Sequence, residues 1–484
     1  MSNPGNAQVL AALTSVLGDS ILQPGSEEYE KDNGSYFSAF QAEVKPSYIA
    51  KPTSVEQVQG LVKALRPHIL SGGCQIAIRG TGHSAFAGSS NVRNGVTIDM
   101  RGLKGITLSQ DKSVVEIGVG ETWGTVYTEL EKHGLTVAAG RAGRVGVGGF
   151  ILGGGLSMYS TRKGFSCDSV TEFKVVLASG EVVRADASEN PDLWIALKGG
   201  LNNFGVVTSF KMTTFKSRDL WGGVTYYKPG TFPELLRTAC DFIHNETDED
   251  THIMCSIGYG FTHQAVTCVM YHTQGKENPP SLQRFTSMEP QSKELNTMRT
   301  AKHLDFCQEL SKYTTDGLRQ YFATLTIKPD LPLMKAFHKK WQETLTIIQD
   351  AEGCSFSFGY QPFTKALLEN SVKAGGNAFT ISPSDGPLFL ILINPIWVRK
   401  EDDKRIFAAV SKFVTELREL ASEKGLLHRY VFTNYANQDD DIIAGYGEEN
   451  VSKLREASKK YDPEGVFQKG VPGPSGFKLP DKEA

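Results

Sequence analysis

The residues best suited to chemistry lie in two glycine-dense stretches and near the C-terminus. The first stretch reads Arg79-Gly80-Thr81-Gly82-His83-Ser84 and follows a short apolar strand pattern. Glycines let the backbone curl and bring several N–H groups to one anion, so this loop predicts a phosphate-binding site. A histidine inside such a loop is unusual. The alternative interpretation is an ordinary tight loop with a structural histidine.

This loop does not carry a complete NAD-type fingerprint. The full G-x-G-x-x-G pattern requires glycine at position 85, where the chain has Ala85, and no helix pattern follows at once. A nicotinamide dinucleotide site is therefore not predicted here.

The second stretch covers residues 138–157 and is crowded with glycines at 146, 148, 149 and 153–155. Glycines at this density weaken a regular element, so a compensating role is expected. One role is close passage of the backbone along a flat or phosphorylated ligand, and the alternative is a run of tight turns. Two such loops flanking one set of strands favour a large dinucleotide.

The elements that must position these loops follow from apolar spacing. Residues 48–79 read as a β-α-β unit with a capping box from Thr53 to Glu56. Residues 173–186 read as a hairpin, and residues 23–45 as an extended polar lead-in. From residue 217 to 425, strands alternate with helices near 232–244, 331–350 and 400–424, with loops at 276–291 and 374–387. That pattern predicts an α+β domain whose antiparallel sheet is covered by helices.

Four ordered motifs give the chain a family resemblance. The segments RGTGHSAFAGSSNVRNGVTIDM, GRVGVGGFILGGGLSMYSTRKGFSCDSV and GLNNFGVVTSF resemble the PCMH-type FAD-binding domain of the vanillyl-alcohol oxidase/p-cresol methylhydroxylase superfamily. The tail, YVFTNYANQ to YDPEGVFQ, resembles the berberine-bridge-enzyme-like branch. The resemblance implies an α+β fold, with a two-part FAD-binding domain and a substrate domain. We expect an N-terminal helix and lead-in at 1–44, the FAD-binding domain at 45–216, the substrate domain at 217–425 and a returning segment at 426–484.

The resemblance also implies which residues hold FAD. In the family, the histidine of the R-x-x-G-H motif is joined to the 8α carbon of the flavin ring, and here that residue is His83. The first loop with Ser89 would hold the pyrophosphate, the second loop would line the flavin, and two later segments would border the cofactor. The implied residues are Arg79, Gly80, Thr81, Gly82, Ser84 and Ser89; then Gly146, Gly149, Gly153, Gly154 and Gly155; then Cys167, Val170, Gly205 and Val207; and Asn434.

One position departs from the family pattern. Many berberine-bridge relatives make a second flavin bond through a cysteine in the second loop, where this chain has Ala142. The sequence therefore predicts FAD held by a single covalent bond through His83.

The catalytic base is the least determined part of the site. Asn434-Tyr435 matches a motif that lies beside the flavin in some sugar-oxidising relatives. A free tyrosine has a pKa of about 10, so as a base it needs a stabilised phenolate. The alternative is that Tyr435 packs against the cofactor without proton transfer. Tyr360 and Gln361 are further candidates, and the alternative for both is that they fill a sheet surface.

The resemblance implies a flavoprotein oxidase. A hydride would leave a small-molecule alcohol or C–H/N–H donor of secondary metabolism, and O₂ would reoxidise the flavin to give H₂O₂. Alternatives are a carbohydrate oxidase, a flavoprotein that catalyses a redox-neutral isomerisation or cyclisation, and a flavin-containing binding protein.

Composition limits the partners. A net charge of −3 over 484 residues gives no electrostatic case for nucleic acid or an anionic membrane. The histidines lack metal-ligand spacing. Seven cysteines without a CxxC pair, and an N-terminus without a basic region, favour a cytoplasmic protein. We expect a monomer or homodimer with only a small-molecule substrate and O₂ as partners.

Overall fold

The computed structural model describes residues 4–312, 315–379 and 381–480. Up to residue 216, the chain builds β-sheets with helices packed against them. In chain order the elements are α1 (Pro4–Leu17), β1 (Ile21–Leu22), α2 (Glu27–Asn33), α3 (Ala39–Ala42), β2 (Tyr48–Ala50), α4 (Val55–Leu70), β3 (Ile76–Arg79), β4 (Val96–Asp99), β5 (Ile106–Leu108), β6 (Val114–Gly118), α5 (Trp123–Glu131), β7 (Leu135–Thr136), α6 (Val147–Leu152), α7 (Ser160–Lys163), β8 (Val170–Val176), β9 (Val182–Asp186), α8 (Pro191–Leu197), β10 (Val206–Thr213) and β11 (Phe215–Lys216).

The predicted β-α-β unit forms the first sheet. Strands β2 and β3 both pair in parallel with β4, and α4 makes the crossover between them. Helix α4 begins after Ser54, whose side chain accepts a hydrogen bond from the Gln57 N–H, and its apolar face is buried. The first glycine loop thus leaves β3 at the carboxyl edge of a parallel sheet, which is where open α/β sheets bind ligands. A second, antiparallel sheet follows in the order β5-β6-β10-β8-β9.

The rest of the chain builds a large antiparallel sheet. Its elements and those that follow are β12 (Leu220–Tyr227), α9 (Phe232–Asn245), β13 (Thr251–Gly260), β14 (His263–His272), α10 (Pro280–Thr286), β15 (Arg299–Ala301), α11 (His303–Lys312), β16 (Arg319–Gln320), β17 (Ala323–Ile327), α12 (Leu331–Ile348), β18 (Ser355–Phe363), α13 (Lys365–Lys373), β19 (Leu388–Trp397), α14 (Asp403–Glu423), β20 (Leu427–His428), α15 (Glu448–Tyr461) and α16 (Val466–Gly470). The strand order is β15-β12-β14-β13-β18-β19-β17-β20, with β16 beside β19.

Helices cover one face of this sheet. Side chains of α9, α12 and α14 pack in one core with alternate residues of β13, β18 and β19. Because successive strand residues point to opposite faces, the intervening residues are left for the other face. The α+β prediction, with an antiparallel sheet covered by helices, is confirmed.

The C-terminal segment packs back on the first part of the chain. Helix α15 lies against α8, where the Tyr461 hydroxyl donates to Asp192 Oδ1 at 2.6 Å. Helix α16 lies against α4. Among the described residues, no helix combines the length and apolar character that crossing a membrane requires.

Two predicted irregular segments contain helices. The lead-in at 23–45 holds α2 and α3, and the predicted loop at 276–291 holds α10. These expectations were wrong because the helices are short, so no apolar period is long enough to show. Capping explains where α2 begins, because the Ser26 side chain accepts a hydrogen bond from the N–H of buried Tyr29.

Candidate active site

A cleft of about 510 Å³ lies where the separated parts of the chain meet. Its walls come from the loop after β3, the loop that leads into α6, the face of the large sheet opposite α9, α12 and α14, and the C-terminal segment. The sheet contributes Leu392 and Asn394, which alternate with core residues Ile391 and Ile393.

The first glycine loop lines this cleft with its backbone. None of the N–H groups from residue 81 to 90 donates to another backbone group among the described residues. Gly82 has φ +77°, and a Cβ there would lie 2.6 Å from the Tyr36 ring, so only glycine fits. The Thr81 hydroxyl is buried without a described hydrogen-bond partner. The loop therefore offers a set of unused donors to a ligand.

His83 lies in this loop and lines the cleft. Its ring stacks on Phe37, with centroids 3.9 Å apart and planes inclined by 16°. Burial lowers the pKa of His83 to about 4, so the imidazole is neutral near pH 7 and keeps a nitrogen lone pair.

Arg79 does not reach the cleft, which corrects the expectation that it holds the pyrophosphate. Its side chain is fully buried, stacks over the Tyr36 ring at 3.6 Å and donates to the Asp32 and Ser35 backbone oxygens at 2.9 and 2.8 Å. Arg79 instead fixes Tyr36, the ring on which Gly82 rests.

The second glycine loop touches the first. A Cβ at Gly146 would lie 2.5 Å from Thr81 Oγ1, so the two backbones approach closely only because position 146 is glycine. Gly149 and Ala142 also line the cleft, and a Cβ at Gly149 would meet no atom within 4 Å. This wall is therefore open and flat.

Three glycines of the second loop lie behind the cleft wall, contrary to expectation. A Cβ at Gly153 would lie 2.8 Å from the Asn434 amide, one at Gly154 would lie 2.6 Å from the Phe379 ring, and one at Gly155 would overlap Phe150. These glycines let the loop pack against its support. Asn434 anchors that support, because its Oδ1 accepts from the Gly155 N–H at 3.0 Å and its Nδ2 donates to the Phe150 carbonyl at 3.1 Å.

The remaining expected border residues divide into two groups. Ser84, Ser89, Gly205, Val207 and Asn434 line the cleft. Cys167 and Val170 are buried away from it, and burial raises the pKa of the Cys167 thiol well above its usual range. Cys167 supports the second loop through its N–H, which donates to the Gly154 carbonyl at 2.9 Å.

A polar cluster forms where the second loop meets the sheet. Arg141 Nη2 donates to the Tyr435 hydroxyl at 2.6 Å, and Arg141 Nη1 donates to Gln361 Oε1 at 2.7 Å. Gln361 Nε2 in turn donates to the Tyr435 hydroxyl at 3.3 Å. Arg141 and Tyr435 line the cleft, whereas Gln361 is buried behind them.

Sequence reasoning missed Arg141 and His252. His252 Nε2 lies 3.4 Å from Arg141 Nη1, and since a guanidinium only donates, the imidazole accepts. Burial, and then the charge of Arg141, lowers the pKa of His252 to about 3. The available signal was Arg141 itself, one of two cations, with Arg144, in a loop of mostly small residues. The histidine, on a strand 111 positions away, gave none.

Tyr360 is removed from the candidate set. It shares a face of β18 with Phe356 and Phe358, and all three are fully buried beneath the helices. Gln361 is the next residue and therefore points to the opposite face, toward the polar cluster.

The residues present fit FAD. A pyrophosphate needs donors, which the unpaired N–H groups and the orphaned Thr81 hydroxyl supply. A flat ring needs a wall without side chains, which Gly149 and Ala142 supply. No carboxylate stands among the described lining residues, so an anionic cofactor meets no like charge.

Comparisons with known proteins agree with this fit. A family model described as an FAD binding domain matches residues 46–186. The chain is 34% identical to the FAD-dependent monooxygenase FUP4 of Fusarium proliferatum, over 90% of this chain and 86% of that protein. It is 33% identical to the FAD-dependent monooxygenase drtC of Aspergillus calidoustus, over 96% and 88% of the two chains. Its fold resembles that of BBE-like 1 of Physcomitrella patens, with a TM-score of 0.78 at 19% identity over 98% and 99% of the two chains.

Proposed function

The chain belongs to the berberine-bridge-enzyme-like family of FAD-linked oxidoreductases, and on that premise we propose that it oxidises a small-molecule alcohol or another C–H/N–H donor of secondary metabolism. The observation that carries the proposal is the contact of Arg141 and Tyr435 on the wall of the cleft, 2.6 Å apart. Bound FAD supplies the acceptor for a hydride and passes the electrons to O₂, giving H₂O₂.

Tyr435 is the proposed base for the donor's O–H or N–H proton. Its hydroxyl oxygen accepts from both Arg141 and Gln361. The guanidinium charge at 2.6 Å stabilises negative charge on that oxygen. Gln361 orients both partners without touching the cleft. A carboxylate base is not proposed, because no Asp or Glu stands among the described residues that line the cleft.

His83 is the proposed covalent tether to the 8α carbon of FAD. Two observations support this role. His83 lines the cleft, and burial lowers its pKa to about 4, which favours the neutral imidazole. The stack on Phe37 holds the ring in one plane. Ala142 leaves no thiol in the second loop, so the proposal is one bond and not two.

The names of FUP4 and drtC favour a second candidate, a monooxygenase that inserts one oxygen atom of O₂ into the substrate and reduces the other to water with two electrons from an external reductant. The two candidates differ in the fate of oxygen. Turnover under ¹⁸O₂ places the label in hydrogen peroxide for an oxidase and in the organic product for a monooxygenase.

Replacement of Tyr435 by phenylalanine tests the base. We expect donor oxidation, followed by oxygen uptake and peroxide formation across a panel of alcohols and hydroxy acids, to slow by about 10²- to 10⁴-fold. Flavin content should stay constant, because the ring remains. The matched control is Tyr259→Phe, at the far end of β13, which should turn over like the wild type. Wild-type rates in Tyr435→Phe would exclude Tyr435 as the base.

A further inference from the structure

Arg141 is hydrogen-bonded to four side chains of the large sheet and the C-terminal segment. Its hydrogen-bond partners are Gln361 Oε1, the Tyr435 hydroxyl, Met254 Sδ at 2.7 Å and His252 Nε2. None of these partners is a carboxylate. Arg144, three residues later in the same loop, pairs with Asp316.

No carboxylate among the described residues compensates the charge of a cation held this way. Arg141 forms no ion pair with any described carboxylate, although its side chain is half-buried in a cleft wall that itself lacks carboxylates. Partial desolvation of an unpaired charge costs free energy. An anion that enters the cleft would offset that cost.

The hydrogen bonding of Arg141 leaves one edge for such an anion. Nη1 and Nη2 donate to the sheet and to Tyr435, while no described residue accepts from Nε. The Nε–H shares an edge of the planar guanidinium with one of the two Nη2 hydrogens. That edge matches the two oxygens of a carboxylate.

Among the described residues that line the cleft, Lys478 is the other cation, and it lies elsewhere. Lys478 belongs to the C-terminal segment next to Phe477, whose ring contacts Phe86 of the first loop at 5.2 Å. Arg141 instead contacts β13 and β18 of the large sheet. The FAD pyrophosphate can therefore meet the first loop and Lys478, and Arg141 is available to a second anion.

We propose that Arg141 binds a carboxylate of the substrate, so that the enzyme acts on small-molecule acids and seats the reacting C–H beside Tyr435. This substrate class rests on the proposed function. It is distinct from that function in its test, because binding is measured without turnover.

The test uses matched pairs of probes on the holoenzyme. Benzoate and benzamide, and phenylacetate and phenylacetamide, differ in charge but hardly in shape. Titration followed by flavin absorbance or calorimetry should give at least tenfold tighter binding of each carboxylate, which corresponds to about 1.4 kcal/mol. Absence of a preference in both pairs would overturn the proposal, while oxygen uptake with any donor would still support the oxidase.

Three variants locate the effect. Arg141→Met should abolish the carboxylate preference. Gln361→Glu keeps the guanidinium but supplies a carboxylate at the position of the 2.7 Å contact, so it should also abolish the preference. If Arg141→Met loses its flavin, Gln361→Glu alone tests whether Arg141 binds the carboxylate. Arg144→Met removes the same charge from the same loop and should keep the preference. A preference that survives both Arg141→Met and Gln361→Glu would show that another group binds the anion.

Discussion

Replacement of Gly146 by alanine tests whether the two glycine loops touch as the structure places them. The new Cβ would lie 2.5 Å from Thr81 Oγ1, 2.8 Å from Thr81 Cγ2 and 3.0 Å from the Thr81 backbone nitrogen. Gly146 has φ −71°, a conformation that alanine adopts freely, so the whole effect is steric. Overpacking of this kind costs about 1–3 kcal/mol of stability.

Gly149→Ala, three residues later, is the matched control. Its Cβ meets nothing within 4 Å, and Gly149 lies inside α6. Alanine is more favourable than glycine in a helix interior by about 0.5–1 kcal/mol, so the free energy of unfolding should rise. Because Gly149 lines the cleft, we expect the added methyl group to lower the flavin-to-protein ratio.

Urea unfolding followed by tryptophan fluorescence measures both stability changes, and absorbance at the flavin band measures occupancy. Adding Thr81→Ala to Gly146→Ala removes the clashing Oγ1 and Cγ2, so the double variant should regain stability relative to the sum of the single changes. If Gly146→Ala is as stable as the wild type, or if Thr81→Ala brings no recovery, the two loops are not in contact.

Three further predictions concern the histidines and the second loop. His83→Ala should release flavin into the supernatant after acid precipitation, whereas wild-type protein should stay yellow; free flavin from the wild type would rule out the covalent bond. Ala142 lines the same cleft, so Ala142→Cys should add a second covalent bond to the flavin. An Ala142→Cys/His83→Ala protein should then retain its flavin after acid precipitation. Full release of flavin from that protein would mean that the thiol does not reach the ring. Burial lowers the pKa of His303 to about 3, below its unfolded value, so the unfolded state binds the extra proton and stability falls as pH drops from 6.5 toward 3. His303→Asn should reduce the pH dependence of the free energy of unfolding by about 1.4 kcal/mol per pH unit between pH 4 and 6, measured by urea unfolding. The exposed control His263→Asn should leave this pH dependence unchanged. Equal pH dependence in His303→Asn and the wild type would refute the prediction.

Much of the fold was predictable because its signals are local. The crossover from β2 to β3 follows from a capped helix between two apolar strands, and the turn of the β8–β9 hairpin at Ser179-Gly180 follows from turn chemistry, with φ +80° at Gly180. The missed helices α2, α3 and α10 are too short to show an apolar period. The division of the chain near residues 45, 217 and 426 stays a prediction.

The candidate site was predictable where the backbone itself makes it. The loop from Gly80 to Ser84 and the positions of Gly146 and Gly149 were placed by composition and family motifs, and the structure brings them to one cleft. Arg79 could not be assigned from its motif, because a side chain at the mouth of a loop can turn toward the ligand or into the core. Here the Tyr36 ring and Asp32 draw it inward.

The sequence by itself predicted that two glycine-rich loops, one with His83, serve a large dinucleotide, since glycine spacing and family motifs are readable without contacts. Only the tertiary structure decided which side chains face that ligand. Strand alternation sends Tyr360 into the core and Gln361 toward the cleft, and chain folding brings Arg141, His252 and Tyr435 together from positions up to 294 residues apart. Such contacts depend on the packing of distant elements, which leaves no local pattern in the chain.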